Sequence, residues 1–497
     1  MAMTGSFWLA TKPDLEFAPL AGDVAVDVAV LGGGITGITT ALLLKQAGKT
    51  VALVELHRIG HGVTGNTTAK LTSGHGLVYA KLTETHGPDV ARIYAESNEA
   101  GLAKVVELVG AHGIDCDLER SDNYVYSTAP ADAAKLREEV RAAQQAGLNA
   151  DFVDELALPF TVAGAVRLRE QAQFHPAKYL AALAELIDGD GSHVFEETGA
   201  TGVEEGDPTT VTTNGGTIRA NDVVVATHMP FVDRGLHFAK AHPEMSYVVA
   251  APVESPPAGM YLSISEPKRS IRSTPDRGGR LLLLGGEGHP VGRDADTRRR
   301  YDALERDLAG WFGAGDAQYR WSAHDYLPVD GLPYIGRVTG GAKRLHVATG
   351  FAKWGMTKGT LAAMILTDEI LGRPNPWAQV YDASRLDLTH SIGGLLTANA
   401  QVAARFVGDR LSADAIDSIA KGGGAVVRQG LSQLAVHRDD DGQLHALSAR
   451  CTHLGCIVAW NPAERTWDCP CHGSRFDTDG RVVEGPATDG LEQQTIT

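Results

Sequence analysis

The first regular pattern along the chain begins at Asp27. Asp27–Leu31 (DVAVL) is an apolar run suited to a strand buried on both faces. It ends in Gly32-Gly33-Gly34-Ile35-Thr36-Gly37. Ile38–Gly48 (ITTALLLKQAG) then predicts a helix stopped by glycine. Thr50–Val54 predicts a second strand, closed by Glu55. Together these make a strand–helix–strand unit. Asn221–Pro230 (NDVVVATHMP) predicts a later strand ending in a small-residue turn, and Gly359–Leu371 a later helix. Past Gly424 the pattern changes. GAVVRQGLSQLAVHRDDDGQLHALSAR predicts strands joined at Asp439-Asp440-Asp441-Gly442, in a small antiparallel domain running from about Asp417 to the end. Leu386–Ala415 is predicted as a linker with one helical stretch, Thr397–Leu411. Its Val402, Phe406, Val407 and Leu411 sit at near-helical spacing, suited to packing on a domain surface.

With 497 residues, at about 150 per domain, two or three domains are expected. The 43% hydrophobic and 21% charged content is that of a globular chain and excludes a disordered or fibrous one. A net charge of −16 argues against nucleic acid as a partner, because phosphate contacts need Lys and Arg. No apolar run approaches the roughly 20 residues of a membrane span. The opening MAMTGSFWLATKPDLEFAPL lacks a basic stretch followed by an apolar one, so a cytoplasmic protein is expected.

The glycines after the first strand fit GxGxxG, and Glu55 stands 18 positions beyond Gly37. Gly32, Gly34 and Gly37 would let the backbone approach a pyrophosphate at a helix N-terminus, and Glu55 would accept from ribose hydroxyls. A glycine turn without a ligand is the blander reading, and the flanking strands and helix weigh against it. This motif alone serves NAD and FAD equally.

The next residues narrow that choice. HRIGHGVTGNTTAKLTSGHG, His57–Gly76, resembles the D-amino-acid-oxidase-like (glycine/sarcosine oxidase) superfamily of FAD-dependent oxidoreductases. In that family a small polar stretch here lines the flavin. The resemblance implies that Thr67, Thr68, Lys70 and His75 lie near it. It extends to Asn221–Pro230, to WSAHDYLPVDGLPYIG (Trp321–Gly336) and to LHVATGFAKWGMT (Leu345–Thr357). Gly350, Phe351, Lys353, Gly355, Met356 and Thr357 match the family's last turn past the flavin. The helix after it would aim its N-terminus at the pyrimidine carbonyls. The implied fold is an α/β FAD-binding Rossmann-type domain with an inserted mixed-sheet substrate domain, over residues 25–385. FAD-binding pieces are expected at about 25–80, 190–232 and 325–372, and substrate-domain pieces at about 81–189 and 233–324. Residues 386–415 remain the linker and 416–497 the C-terminal all-β domain.

Four of the five cysteines crowd into 21 residues of that domain, Cys451, Cys456, Cys469 and Cys471; Cys116 stands apart. Such clustering in a Cys-poor chain points to metal. Cys451-x-His453 and Cys469-x-x-His472 stand fifteen residues apart, each pairing one Cys with one His. Zinc accepts two Cys and two His, but zinc fingers pair like with like. The interleaving resembles the Rieske [2Fe–2S] domain, which implies Cys451 and Cys469 on one iron and His453 and His472 on the other. The resemblance also implies a Cys456–Cys471 disulfide, as in bc-complex-type relatives; two free thiols are the alternative. It makes Ser474 a hydrogen-bond donor to the cluster and Gly485-Pro486-Ala487 its proline loop. Phe476 departs from the relatives' tyrosine. Hydrogen bonds to sulfur stabilise the reduced cluster, so a lower potential is expected.

Two weaker constellations remain. Gly286-Glu287-Gly288-His289-Pro290-Val291-Gly292 after LLLL suggests either a nicotinamide fingerprint or a strand and turn of the substrate domain; the charged helix after it favours the second. Asp233, His237 and His242 offer the ligand types of a mononuclear iron site, but solvated histidines are the commoner case. His75, His324 and Lys353 are the ionisable residues expected by the flavin, to hold charge or move a proton. No arginine is singled out for a substrate carboxylate. The whole implies a dehydrogenase of amines or amino acids. Electrons would pass from FAD through the cluster, exposed through its histidines, to an external acceptor protein or quinone. An NAD(P)H-dependent reductase feeding a partner oxygenase is the alternative.

Overall fold

The structure, a computed structural model, describes residues 3–385 and 416–496. The predicted linker and its helix Thr397–Leu411 lie outside the described residues. The first sheet has eight strands. Val24–Leu31 lies at its centre, parallel to Val51–Val54 on one side and Thr217–Val225 on the other. His193–Phe195 and Leu345–Thr349 extend it in parallel, and Tyr334–Arg337 closes one edge antiparallel. Val51–Val54 is buried at every position, which is why the strand reads as an unbroken apolar run. Helices Ile35–Gln46 and Gly355–Ile370 pack on each other, with Gly359 against Ile35 and Thr36.

The second sheet has ten strands and is mixed. Ala241–Pro252 lies between Gly279–Pro290 and Tyr319–Pro328, antiparallel to both. Met260–Ser263 runs parallel to Glu119–Ser127. Helix Arg298–Phe312 covers one face with Tyr301, Leu304 and Leu308. The expected division at residue 325 falls inside strand Tyr319–Pro328, which pairs with Ala241–Pro252 along its whole length. Lys70–Leu71, placed with the FAD-binding piece, pairs instead with Gly164–Gln173 at the end of this sheet. Gly286 and Gly288 lie within strand Gly279–Pro290, so no nicotinamide loop exists there. A side chain at Gly292 would put its Cβ 3.0 Å from Asp468 O, so this glycine lets the C-terminal domain come close.

That domain is two four-stranded antiparallel sheets around Trp467, Phe476, Cys451 and Cys469. It docks on the first half through Thr297 donating to Asn461 at 2.6 Å and Tyr301 donating to Glu464 at 2.7 Å. No helix among the described residues is long and apolar enough to cross a membrane.

Candidate active site and cluster pocket

The end of the central strand forces the chain into a shape that favours glycine. Gly32 has φ +110°, and a Cβ there would stand 2.5 Å from Ala226 O. A Cβ on Gly37 would stand 1.9 Å from Gly32 O. The loop and the helix N-terminus are thus packed as only glycine allows, leaving bare backbone toward a ligand. Glu55 takes the N–H groups of Gly33 at 2.6 Å and His57 at 3.0 Å. Burial raises its pKa, opposing those bonds.

This loop opens on a cavity of about 860 Å³, within the range of cofactor and substrate sites. Gly32, Gly34, Glu55, Thr67, Thr68 and Met356 line it. Gly37, Gly350 and Thr357 stand behind that lining. Of the three ionisable residues, His324 and Lys353 are on the wall. His75 is not. Its ring stacks on Trp354 with centroids 4.5 Å apart, and its nitrogens meet Tyr94 OH and Thr72 O, both at 2.6 Å. Burial, then Lys358, holds its pKa well below the usual value, so it serves as a neutral packing group. Lys353 Nζ bonds Glu244 and lies 2.8 Å from Ser246 Oγ.

Lys70 is nearly fully buried on the wall and donates to the carbonyl of Tyr261. Among the described ion pairs it has no carboxylate. Burial, then nearby Arg272, depresses its pKa strongly. His228, Asp325 and Glu484 also line the cavity, and the sequence did not single them out. His228 lies in the turn that ends the predicted segment Asn221–Pro230, which was the available signal. Glu484 belongs to the other domain, and Val483–Thr488 of that domain closes one side of the cavity.

The predicted ligand loops come together. Cys451 and Cys469 are free and buried, and Cys456 is bonded to Cys471, tying the two loops. The His453 and His472 rings have centroids 5.0 Å apart. His453 Nδ1 is buried without a hydrogen-bond partner, an orphaned lone pair of the kind a metal takes up. Burial holds His472 near pKa 4, in the neutral form that ligates. The donor set therefore fits a [2Fe–2S] cluster. The histidines face inward: Phe238 of the first half stacks edge-on to both, the His453 side chain is 5% exposed, and His472 is buried. This corrects the expectation of a surface presented through the histidines. Asp233 lies 3.2 Å from His453 Nε2, while His237 stacks edge-on with Tyr334, so these residues build no separate iron site.

Phe476 is fully buried in the cluster domain's core and offers no hydroxyl. Ser474 Oγ accepts from Ala487 N at 3.1 Å, leaving its hydroxyl proton free to donate. Phe476→Tyr is expected to raise the cluster's midpoint potential in a redox titration, and Ser474→Ala to lower it. Shifts of the opposite sign would remove the hydrogen-bond explanation.

A dinucleotide loop, a mixed second sheet over the cavity and a Cys/His cluster domain define an iron–sulfur flavoprotein. The family model described as FAD dependent oxidoreductase matches residues 27–369, and that of the Rieske [2Fe-2S] domain matches residues 411–495. The chain belongs to the FAD-dependent oxidoreductase family and carries a C-terminal Rieske domain, with FAD and a [2Fe–2S] cluster as its cofactors. It is 36% identical over 493 residues to the Rieske 2Fe-2S iron-sulfur protein YhfW of Bacillus subtilis (strain 168), covering 98% of this chain and 97% of that one. Cytochrome b6-f complex iron-sulfur subunit 2 of Synechocystis sp. is 42% identical over 81 residues, 15% of this chain and 45% of that one. Glycine oxidase from Geobacillus kaustophilus superposes with TM-score 0.63 at 21% identity, covering 73% of this chain and 99% of that one. L-proline dehydrogenase from P. horikoshii gives 0.57 at 17% identity, covering 74% and 98%. These last two share the fold.

Proposed function

We propose that the protein is a cytoplasmic dehydrogenase of amino acids or related amines that sends electrons from FAD through the Rieske cluster to an external one-electron acceptor, a protein or a quinone. One observation carries this reading. One cavity is lined both by the dinucleotide loop and by residues 483–488 of the cluster domain. The solved structures of like fold include a glycine oxidase, an L-amino acid deaminase from Proteus vulgaris and an L-proline dehydrogenase.

Gly32, Gly34, Gly37, Glu55, Thr67, Thr68, Gly350, Met356 and Thr357 are proposed to hold FAD. Cys451, His453, Cys469 and His472 hold the cluster. When bound, FAD supplies a two-electron acceptor and the cluster a one-electron carrier. Lys70 supports an amino acid over a simple amine. Burial disfavours the charged form of this lysine, which has no carboxylate among the described ion pairs; a substrate carboxylate would supply that partner and favour the ammonium. Lys353 donates to Glu244 at the wall, and His324 borders the same space, so both sides offer groups that orient an amine.

The test is anaerobic bleaching of the flavin by primary amines, N-methyl amines, amino acids, NADH and NADPH. Bleaching by an amino acid, with the cluster reduced after the flavin, is expected. Rapid bleaching by NAD(P)H alone would make the protein a reductase instead. Lys70→Met is expected to raise the KM for an amino acid about tenfold or more, the worth of a charged hydrogen bond, at unchanged FAD content. An equal rise for a simple amine would show that Lys70 does not read the carboxylate.

A further inference from the structure

Where the cluster domain meets the cavity, strand Val482–Glu484 inserts one carboxylate between two histidines of the flavin half. Glu484 Oε1 lies 3.1 Å from His228 Nδ1, and Oε2 lies 2.9 Å from His324 Nδ1. Arg475 of the same domain stands 3.7 Å from Oε2. His228 Nε2 reaches Asp325 Oδ1 at 2.9 Å. Asp325 and Glu484 thus share His228 between them, while Arg475, which also meets Asp468 at 3.3 Å, stands beside Glu484.

Beyond His324 the contacts continue toward the cluster. His324 Nε2 lies 3.3 Å from the Tyr326 hydroxyl, and that hydroxyl donates to the carbonyl of His472 at 2.8 Å. The Tyr326 ring is 5.3 Å from that of His324 and 4.6 Å from that of His228, centroid to centroid. His228, His324 and Glu484 line the cavity, and Tyr326 is fully buried behind them. A side chain on Gly473 would strike this path, since its Cβ would stand 2.8 Å from the Tyr326 hydroxyl and 3.1 Å from His324 Nε2. An unbroken line of bonded and packed groups therefore joins the cavity wall to the backbone of a cluster ligand.

We propose that His324 and Tyr326 form the route by which electrons pass from the cavity to the cluster at His472, and that Glu484 is the positioning residue that holds His324 in line. This rests on the flavin-to-cluster direction proposed above. Regenerating oxidised flavin from its anionic two-electron-reduced form releases two electrons and one proton. Each electron turns one ferric ion of the cluster ferrous, and the external acceptor removes the first before the second arrives. The proton goes to water in the cavity.

The test uses the full chain holding both cofactors, without oxygen. A light pulse with EDTA photoreduces the flavin, and freeze-quench EPR follows the cluster, so no substrate is needed. Glu484→Gln and Tyr326→Phe are expected to slow cluster reduction about tenfold to hundredfold, the scale of a small misplacement in a pre-set geometry, with Glu484→Asp between them and wild type. Flavin photoreduction, FAD content, cluster EPR line shape and midpoint potential stay at wild-type values; a merely structural defect would move them. Tyr326→Phe keeps the ring and removes one hydroxyl, so it reads the route without repacking. Wild-type rates in both variants overturn the route, as does a loss that only follows a shifted midpoint potential. If photoreduced flavin leaves the wild-type cluster oxidised, the flavin-to-cluster reading itself fails.

Discussion

Gly37→Val is expected to yield a protein that keeps its iron–sulfur cluster and holds no FAD. Gly37 lies in the first turn of helix Ile35–Gln46 and is buried. The new Cβ alone would overlap the Gly32 carbonyl oxygen at 1.9 Å. Gly32 cannot retreat freely, because it is held at φ +110° against the Ala226 carbonyl. The helix must back away from the loop, and the bare N–H groups leave the place a pyrophosphate would take. Overpacking of this kind costs about 1–3 kcal/mol or more even where a core can adjust. The cluster domain has its own core and is untouched by the change. The check is flavin released on denaturation, set against the cluster's EPR signal in the same sample. Wild-type flavin content would mean that the glycine loop does not hold the cofactor.

The second large effect is expected at His228. His228→Ala removes the cation that Asp325 and Glu484 share and leaves Asp325 without its described ion-pair partner. Breaking one side of a buried ion pair costs about 3–5 kcal/mol. The flavin half and the cluster domain should then separate more readily under limited proteolysis, and thermal unfolding should begin earlier. The wild type should also show a pH signature. Burial opposes charge on His228, but bonds to Asp325 and Glu484 outweigh it and raise its pKa from 6.5 to about 9. A raised pKa means the folded state holds the proton more tightly. The stabilisation is therefore whole below pH 6.5 and is lost as the pH rises through about 9. The wild-type melting temperature should fall across that window, and His228→Ala should lack that fall. Parallel curves for the two proteins would remove His228 as the bridge.

Local patterns carried the parts of the fold that local forces decide. The apolar strand, the glycine turn and the helix after it lie within one stretch of chain, and so do the two ligand loops at Cys451 and Cys469. What the pattern could not show was pairing at long range. Glu484 and His228 are 256 residues apart, and nothing in either neighbourhood points to the other. The same holds for Tyr326 and His472, 146 residues apart. The Gly286–Gly292 stretch lies in the strand and turn that the charged helix after it favours, and its glycines admit close neighbours such as Lys268 O at Gly286 and Asp468 O at Gly292. His75 lies in a stretch assigned to the flavin, yet Trp354 covers it. The inward-facing histidines of the cluster also escaped the sequence, because Phe238 comes from a helix of only four residues, His237–Lys240.

The wall at Val483–Thr488 has a consequence for biosynthesis. The strands of the first sheet are complete by Thr349, whereas the segment that closes the cavity leaves the ribosome later. Domains fold in the order in which they emerge. The cavity therefore stands open on that side while the first half takes shape, and residues made after it close it. Chain order becomes an order of assembly, with the flavin-half walls made before the wall that the cluster domain supplies.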